Sequence, residues 1–205
     1  MQKQRSLKMS NRPAGISPSQ FHRVMTKGRG TEWGKTAESY AEEIVQRMIG
    51  VKIDQYVSYE MQWGIDHEPL AVEAYEIAKM VSVSARNPQV RVTHLEYDFI
   101  SGEPDGLVGT DGVIECKCPN EANHFKNLMR GEQINQYRYQ IQGYMWLTDR
   151  QWCDFVSFHP NYPERYQLSI NRVVRDDAII SELEDRCVKF WNEIVMPLKE
   201  KVDQL

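Results

Sequence analysis

The apolar positions change period along the chain. From residue 17 to residue 81 they recur at helical spacing. Ser17-Pro18-Ser19-Gln20 reads as a helix start, with Ser17 at the N-cap, Pro18 at the first helical position, and Phe21, Val24 and Met25 behind it. Lys27-Gly28-Arg29-Gly30 ends that helix in a basic, glycine-rich loop. Ala37, Tyr40, Ala41, Ile44, Val45 and Met48 predict a helix over 36–49, closed by Gly50. Another is predicted over 61–81. The pattern then turns strand-like. Val90, Val92 and the run Leu95–Ile100 predict a strand. Leu107–Val108 and Val113–Cys118 predict two more, joined by a hairpin at Thr110-Asp111-Gly112. Helical spacing returns over 133–149, with Ile134, Tyr137, Ile141, Tyr144 and Met145 on one face. Cys153–Phe158 and Tyr166–Val174 read as strands around a turn with Pro160 and Pro163. A last amphipathic helix covers 176–196, stopped or kinked near Pro197. This order predicts an α/β domain built on one central mixed sheet flanked by helices.

Composition narrows the class. A chain of 205 residues with 41% hydrophobic and 26% charged residues is ordinary globular material. It is long enough to fold without disulfides or a structural metal. No apolar run approaches the ~20 residues of a membrane span, and the first residues have no apolar core behind their charges. The expected setting is the cytoplasm. The four cysteines include no CxxC pair, and Cys116-x-Cys118 alone is weak evidence for a metal. Charge is distributed unevenly. Residues 1–30 hold seven basic side chains and no acid, so the formal net charge of −4 divides into +7 there and −11 over residues 31–205. Such an arm can hold a polyanion locally, or it can be a solvated tail, expected to be flexible over 1–11.

The chemistry concentrates in Glu103-Pro104-Asp105-Gly106 and Ile114-Glu115-Cys116-Lys117-Cys118-Pro119. Side chains alternate along a strand, so Glu115 and Lys117 share one face and Cys116 and Cys118 the other. The Asp111-Gly112 turn can fold Asp105 back alongside Glu115. Two carboxylates and a lysine then converge, a set that suits Mg²⁺ and phosphodiester hydrolysis. An exposed Glu115–Lys117 salt bridge is the plainer alternative. Glu68 falls on a helical stripe with Ala71, Val72 and Tyr75, where it is either a third metal-facing carboxylate or a partly exposed helix glutamate. His67 reads as a helix-surface histidine. Gln140 and Gln142, set among aromatic residues, are either polar ligands for phosphate or water, or exposed positions.

These blocks, in order, resemble a known family. PDG followed by ExK resembles the PD-(D/E)xK nuclease superfamily. Arg12…Gly15-Ile16-Ser17-Pro18-Ser19, Trp63-Gly64…Glu68, Pro104-Asp105-Gly106-Leu107, Glu115-Cys116-Lys117-Cys118-Pro119 and Gln140-Ile141-Gln142-Gly143-Tyr144-Met145-Trp146 together resemble its lambda exonuclease, or YqaJ-type viral recombinase, group. The resemblance covers roughly residues 12–175. It implies a restriction-endonuclease-like fold and a single exonuclease domain over 12–205. It implies a processive enzyme that digests one strand of linear duplex DNA from the 5′ end, prefers a 5′-phosphate, releases mononucleotides, and leaves a 3′ overhang for phage recombination. It further implies two Mg²⁺ ions per site (Mn²⁺ a possible substitute), a homotrimeric ring and a phage single-strand annealing protein as partner. Carried over residue by residue, Asp105, Glu115, Glu68 and the backbone carbonyl of Cys116 fall on the metals. Lys117 and Gln140 fall on the groups that place the attacking water. Arg12 and Ser19, with Ser17 and Tyr137 near them, fall on the 5′-phosphate pocket. Arg29 matches an arginine that follows the DNA groove. Met61 matches a strand-separating wedge, where the family usually has leucine.

Three rivals are open. A restriction-type endonuclease shares the metal chemistry. A RecB-like iron–sulfur nuclease needs cysteines flanking the core, and these four are placed differently. A non-catalytic DNA-binding scaffold could keep the fold, although Asp105, Glu115 and Lys117 are all present.

Overall fold

The protein is described by a computed structural model, which covers residues 14–53, 57–86, 90–131 and 133–205. Arg12 and the arm expected to be flexible over residues 1–11 lie outside the described residues.

A five-stranded sheet forms the centre, in the order β1 (Val83–Ser84), β4 (Gly106–Val108), β5 (Gly112–Lys117), β6 (Trp152–Phe158), β7 (Leu168–Val174). The predicted hairpin is present as antiparallel β4 and β5, with Gly106 opposite Ile114 and Val108 opposite Gly112. β5 and β6 run parallel, and β6 and β7 antiparallel. A parallel pair needs a long crossover. Here α4 (Glu121–Arg130) and α5 (Gln133–Thr148) supply it.

Alternation along β5 and β6 divides the core between two faces. Val113, Cys153 and Phe155 face α5, α1 (Phe21–Val24), α2 (Lys35–Met48) and α6 (Asp177–Phe190) in the larger apolar cluster. Ile114, Cys116, Val156 and Phe158 face α3 (Tyr59–Lys79) through Ala71, Val72 and Tyr75. Gly143 lets α1 close onto α5. A Cβ there would lie 2.5 Å from the Phe21 ring.

Several expected boundaries move for identifiable reasons. Ser17 makes no side-chain cap. Pro18–Gln20 is a 3₁₀ turn before α1, and the Ser17 amide donates instead to Tyr40 Oη at 3.2 Å. The apolar run Leu95–Ile100 is not a strand. β2 (Val92–Thr93) and β3 (Ser101–Gly102) pair on either side of it, and Ile100 makes a single parallel bridge to Ile16. Apart from that bridge the run is held by packing: Ile100 is buried, and Phe99 stacks on Trp191 at 4.5 Å. Tyr166 lies in a 3₁₀ turn before β7 rather than in the strand. The last helix does not stop at Pro197. α6 widens to a π-turn over Trp191–Val195 and continues as α7 (Met196–Asp203), which begins around the proline. Widening accommodates a ring that cannot donate to the preceding turn. The helix α4 has no counterpart in the sequence reading, because its buried positions, His124 and Asn127, are polar.

Candidate active site

The β4–β5 register has position 105 facing position 115 by simple extension of the Gly106–Ile114 pair. Asp105 Oδ2 accepts the Cys116 amide hydrogen at 2.7 Å, which fixes that carboxylate against β5. Glu115 is completely buried on the α5 face. Its Oε1 accepts from Lys117 Nζ, and from Gln140 Nε2 at 2.6 Å. Its Oε2 is buried with no hydrogen-bond partner. Lys117 Nζ also lies 4.8 Å from the centre of the Tyr137 ring. Strand and helix thus bring Asp105, Glu115, Lys117, Gln140 and Tyr137 together. The plainer expectation of an exposed Glu115–Lys117 bridge does not hold, because Glu115 is completely buried and Lys117 is only partly exposed.

Burial pushes the Glu115 carboxyl up to about 8, the Asp105 charge adds to this, and Lys117 opposes it. Burial likewise raises Asp105, against Lys117, the Cys116 amide and Arg86. The two carboxylates hold Lys117 protonated: they raise its pKa despite its burial. Both cysteine thiols of the strand are raised by burial, with Asp105 and Glu68 contributing, so they are inert apolar packing groups.

Glu68 comes from α3, on the opposite face of the sheet from Glu115. It is half-buried, and its negative charge raises Glu115, Cys116 and Cys118. Among the described residues no three His, Cys, Asp or Glu side chains are gathered into a ready-made cage. Mg²⁺ does not require one, since it commonly takes one or two protein carboxylates and completes its shell with water and phosphate oxygens. The orphaned Glu115 Oε2, beside the half-buried Asp105 carboxylate, is the observation that fits a cation here.

The remaining expected residues fall elsewhere. Ser17 and Ser19 share a hydrogen bond of 3.2 Å on the 3₁₀ turn before α1. Arg29 is exposed in the loop before α2, and Met61 is exposed in the first turn of α3. His67 does not stand free on the surface: Nδ1 donates to the Trp63 carbonyl at 2.8 Å and the ring stacks on Trp63 at 3.8 Å. Gln142 turns away from the site, its amide donating to Val174 O and its carbonyl accepting the Asp176 amide hydrogen, each at 2.9 Å. The sequence reading missed Arg86. Its guanidinium donates to Pro69 O at 3.3 Å, next to Glu68, and its charge favours ionised Asp105. Nothing in the sequence flags it, since its position depends on β1 pairing with β4.

A sheet with one parallel pair, an acid before β4 and an ExK strand at β5 defines the PD-(D/E)xK nuclease-like fold. The model of the YqaJ-like viral recombinase domain matches residues 9–151, and the chain belongs to that family. The chain is similar over nearly its whole length to an alkaline exonuclease, LHK-Exo, from Laribacter hongkongensis: 33% identity, 96% of this chain and 97% of that one, TM-score 0.82. LHK-Exo in complex with dAMP matches at 32% identity over 96% and 97% of the two chains, again with a TM-score of 0.82. A phage-related exonuclease from Haemophilus somnus shares the fold at 18% identity, over 91% of this chain and 96% of that one, with a TM-score of 0.75. No curated protein sequence matches. Among the described residues no helix is long and apolar enough to cross a membrane.

Proposed function

We propose that the chain is a Mg²⁺-dependent exonuclease that digests one strand of linear duplex DNA from the 5′ end. One observation carries this: the fully buried Glu115 and the half-buried Asp105 stand together, with one Glu115 oxygen unpartnered and the other gripped by Lys117 and Gln140. Such an arrangement is costly to fold unless a cation uses it. Family membership and the likeness to an alkaline exonuclease at 33% identity support the same reading.

Asp105 and Glu115 would hold the metal, with Glu68 and the Cys116 carbonyl contributing. When bound, Mg²⁺ supplies charge stabilisation at the phosphate and an acidified water. The chain's own groups do the rest. Lys117, kept protonated by its two carboxylate neighbours, is a fixed cation and hydrogen-bond donor for the phosphate or the water, not a base. Gln140 holds the Glu115 carboxylate in orientation and presents its own amide to the attacking water. Tyr137 walls the Lys117 side.

Arg12, Ser19 and Ser17, with Tyr137 near them, would receive the terminal 5′-phosphate, Arg29 would follow the duplex, and Met61 would part the end base pairs. A single exonuclease domain over 12–205, release of mononucleotides, a 3′ overhang for annealing, a processive homotrimeric ring, an annealing-protein partner and action in the bacterial cytoplasm complete the reading, on the strength of the family resemblance. The test is digestion of linear duplexes labelled at the 5′ or the 3′ end, beside a supercoiled circle, with Mg²⁺ or EDTA. Mg²⁺-dependent loss of the 5′ label with the circle intact is expected. A cut circle would make the protein an endonuclease, and no cleavage at all would leave it a binding scaffold.

A further inference from the structure

The helix α4 is built inside out. His124 and Asn127 point into the protein, where His124 Nε2 donates to Tyr166 O and Nδ1 accepts from Ser157 Oγ, both at 2.9 Å. Asn127 Nδ2 donates to Gln133 Oε1 at 2.7 Å and to Ser157 Oγ at 3.0 Å. Burial holds His124 in its neutral form. These bonds fix the rotation of the helix about its axis. Phe125 and Met129, one turn apart, are therefore turned outward, 55% and 65% exposed. Beside them on the same surface stand exposed Lys126 and Arg130. Tyr162 Oη donates to the Glu121 carbonyl at 2.9 Å, which ties the aromatic β6–β7 connection to this helix.

An aromatic and a thioether at helical spacing, interleaved with cations at the same spacing, form a surface with a definite complement. Nucleic-acid bases stack on the apolar members while the phosphates meet the cations. The rest of the body is acidic, −11 over residues 31–205, so a local cationic stripe is not part of a general positive field. Location narrows the ligand. The helix starts at Glu121, four positions after Lys117 and directly off the end of β5.

We infer that the outer face of α4 is a stacking platform for single-stranded DNA at the active-site exit, taking the strand that the nuclease leaves uncut. The choice of ligand rests on the nuclease reading; the built surface does not.

A labelled oligothymidylate, titrated in EDTA so that nothing is hydrolysed, tests this on the full chain. Phe125→Ala combined with Met129→Ala is expected to weaken its binding by about tenfold or more. Both residues are exposed, so the thermal melt should stay in place. Phe125→Trp should retain binding, and the emission it adds over wild type should be quenched by the oligonucleotide. Wild-type affinity in the double variant would overturn the inference. So would a change of mass by light scattering with oligothymidylate affinity unchanged, which would make the face a contact between copies of the chain. Digestion of blunt duplexes by wild type, run in parallel, separates failure of the nuclease reading from failure of the platform.

Discussion

Gln140 on α5 donates its side-chain amide to Glu115 Oε1 on β5 at 2.6 Å, and so couples the crossover helix to the one fully buried acid of the site. That oxygen also receives the Lys117 ammonium, so removing Gln140 leaves the carboxylate anchored on one side only. Loss of a partner that orients a ligating carboxylate typically costs about 10–100-fold in metal affinity or activity. Gln140→Ala should fall in that range, read as the Mg²⁺ concentration for half-maximal cleavage and the rate at saturating Mg²⁺. Gln140→Glu should be worse, since it sets a third negative charge against Glu115. A Gln140→Ala variant with wild-type metal dependence would remove the glutamine from the site.

Asp105 and Glu115 are two desolvated acids, and the Asp105 charge raises the proton affinity of Glu115. Neutralising one removes that repulsion while deleting its function. Asp105→Asn should abolish cleavage, keep duplex binding, and melt higher than wild type in EDTA. Relief of a buried charge by an isostere is worth roughly 1–2 kcal/mol, about 2–8 °C for a chain of this size. Calorimetry and an end-labelled duplex assay read the two effects separately. Destabilisation in EDTA would mean that the pair is not strained by charge.

The site was legible in the sequence to the extent that local rules govern it. Alternation along β5 puts Glu115 and Lys117 on one face, and the Asp111-Gly112 turn returns Asp105 beside them; both are short-range geometry. Gln140 and Glu68 are different. Periodicity places each on a helix face but says nothing of which strand that face meets. The helix α4 was invisible because a pattern search looks for buried apolar residues, and here His124 and Asn127 are buried while Phe125 and Met129 are exposed. The run Leu95–Ile100 fails for the opposite reason. Its composition is strand-like, but Leu95 is 99% exposed and the aromatic residues are consumed by packing on the C-terminal helix rather than by pairing.

The placement of α3, and with it Glu68, depends on a buried acid outside the reaction. Asp154 on β6 is fully buried, accepts Tyr75 Oη at 2.8 Å, and takes two bonds from Arg172 at 2.8 Å each. Arg172 in turn lies 3.6 Å over the Trp152 ring. Asp154→Ala strips the partner from both. Breaking a buried pair costs about 3–5 kcal/mol, and the half-exposed Arg172 lowers the expectation to roughly 2–3 kcal/mol. Tyr75→Phe should cost only about 1 kcal/mol, because Arg172 still holds Asp154. Urea unfolding of the two variants reads both. Equal losses would mean that Tyr75, not Arg172, is the partner that matters.

pH and metal act on the same carboxylate. Glu115 has an ordinary carboxyl value of 4.5 when unfolded and is pushed up to about 8 when folded, by burial first and by Asp105 second. A group raised on folding contributes stability in full below its unfolded value and loses it as pH rises through its folded value. The metal-free protein should therefore weaken as the pH rises from about 4.5 through about 8. A divalent cation reverses the sign of this interaction, because it needs the ionised carboxylate and compensates its buried charge. The rise in melting temperature on adding Mg²⁺ should then grow across the same interval, small at the acid end and largest above the folded value of Glu115. Glu115→Gln should flatten both curves. Paired melts with Mg²⁺ and with EDTA through this range check it: an Mg²⁺ shift independent of pH, or one that survives Glu115→Gln unchanged, would place the cation away from Glu115.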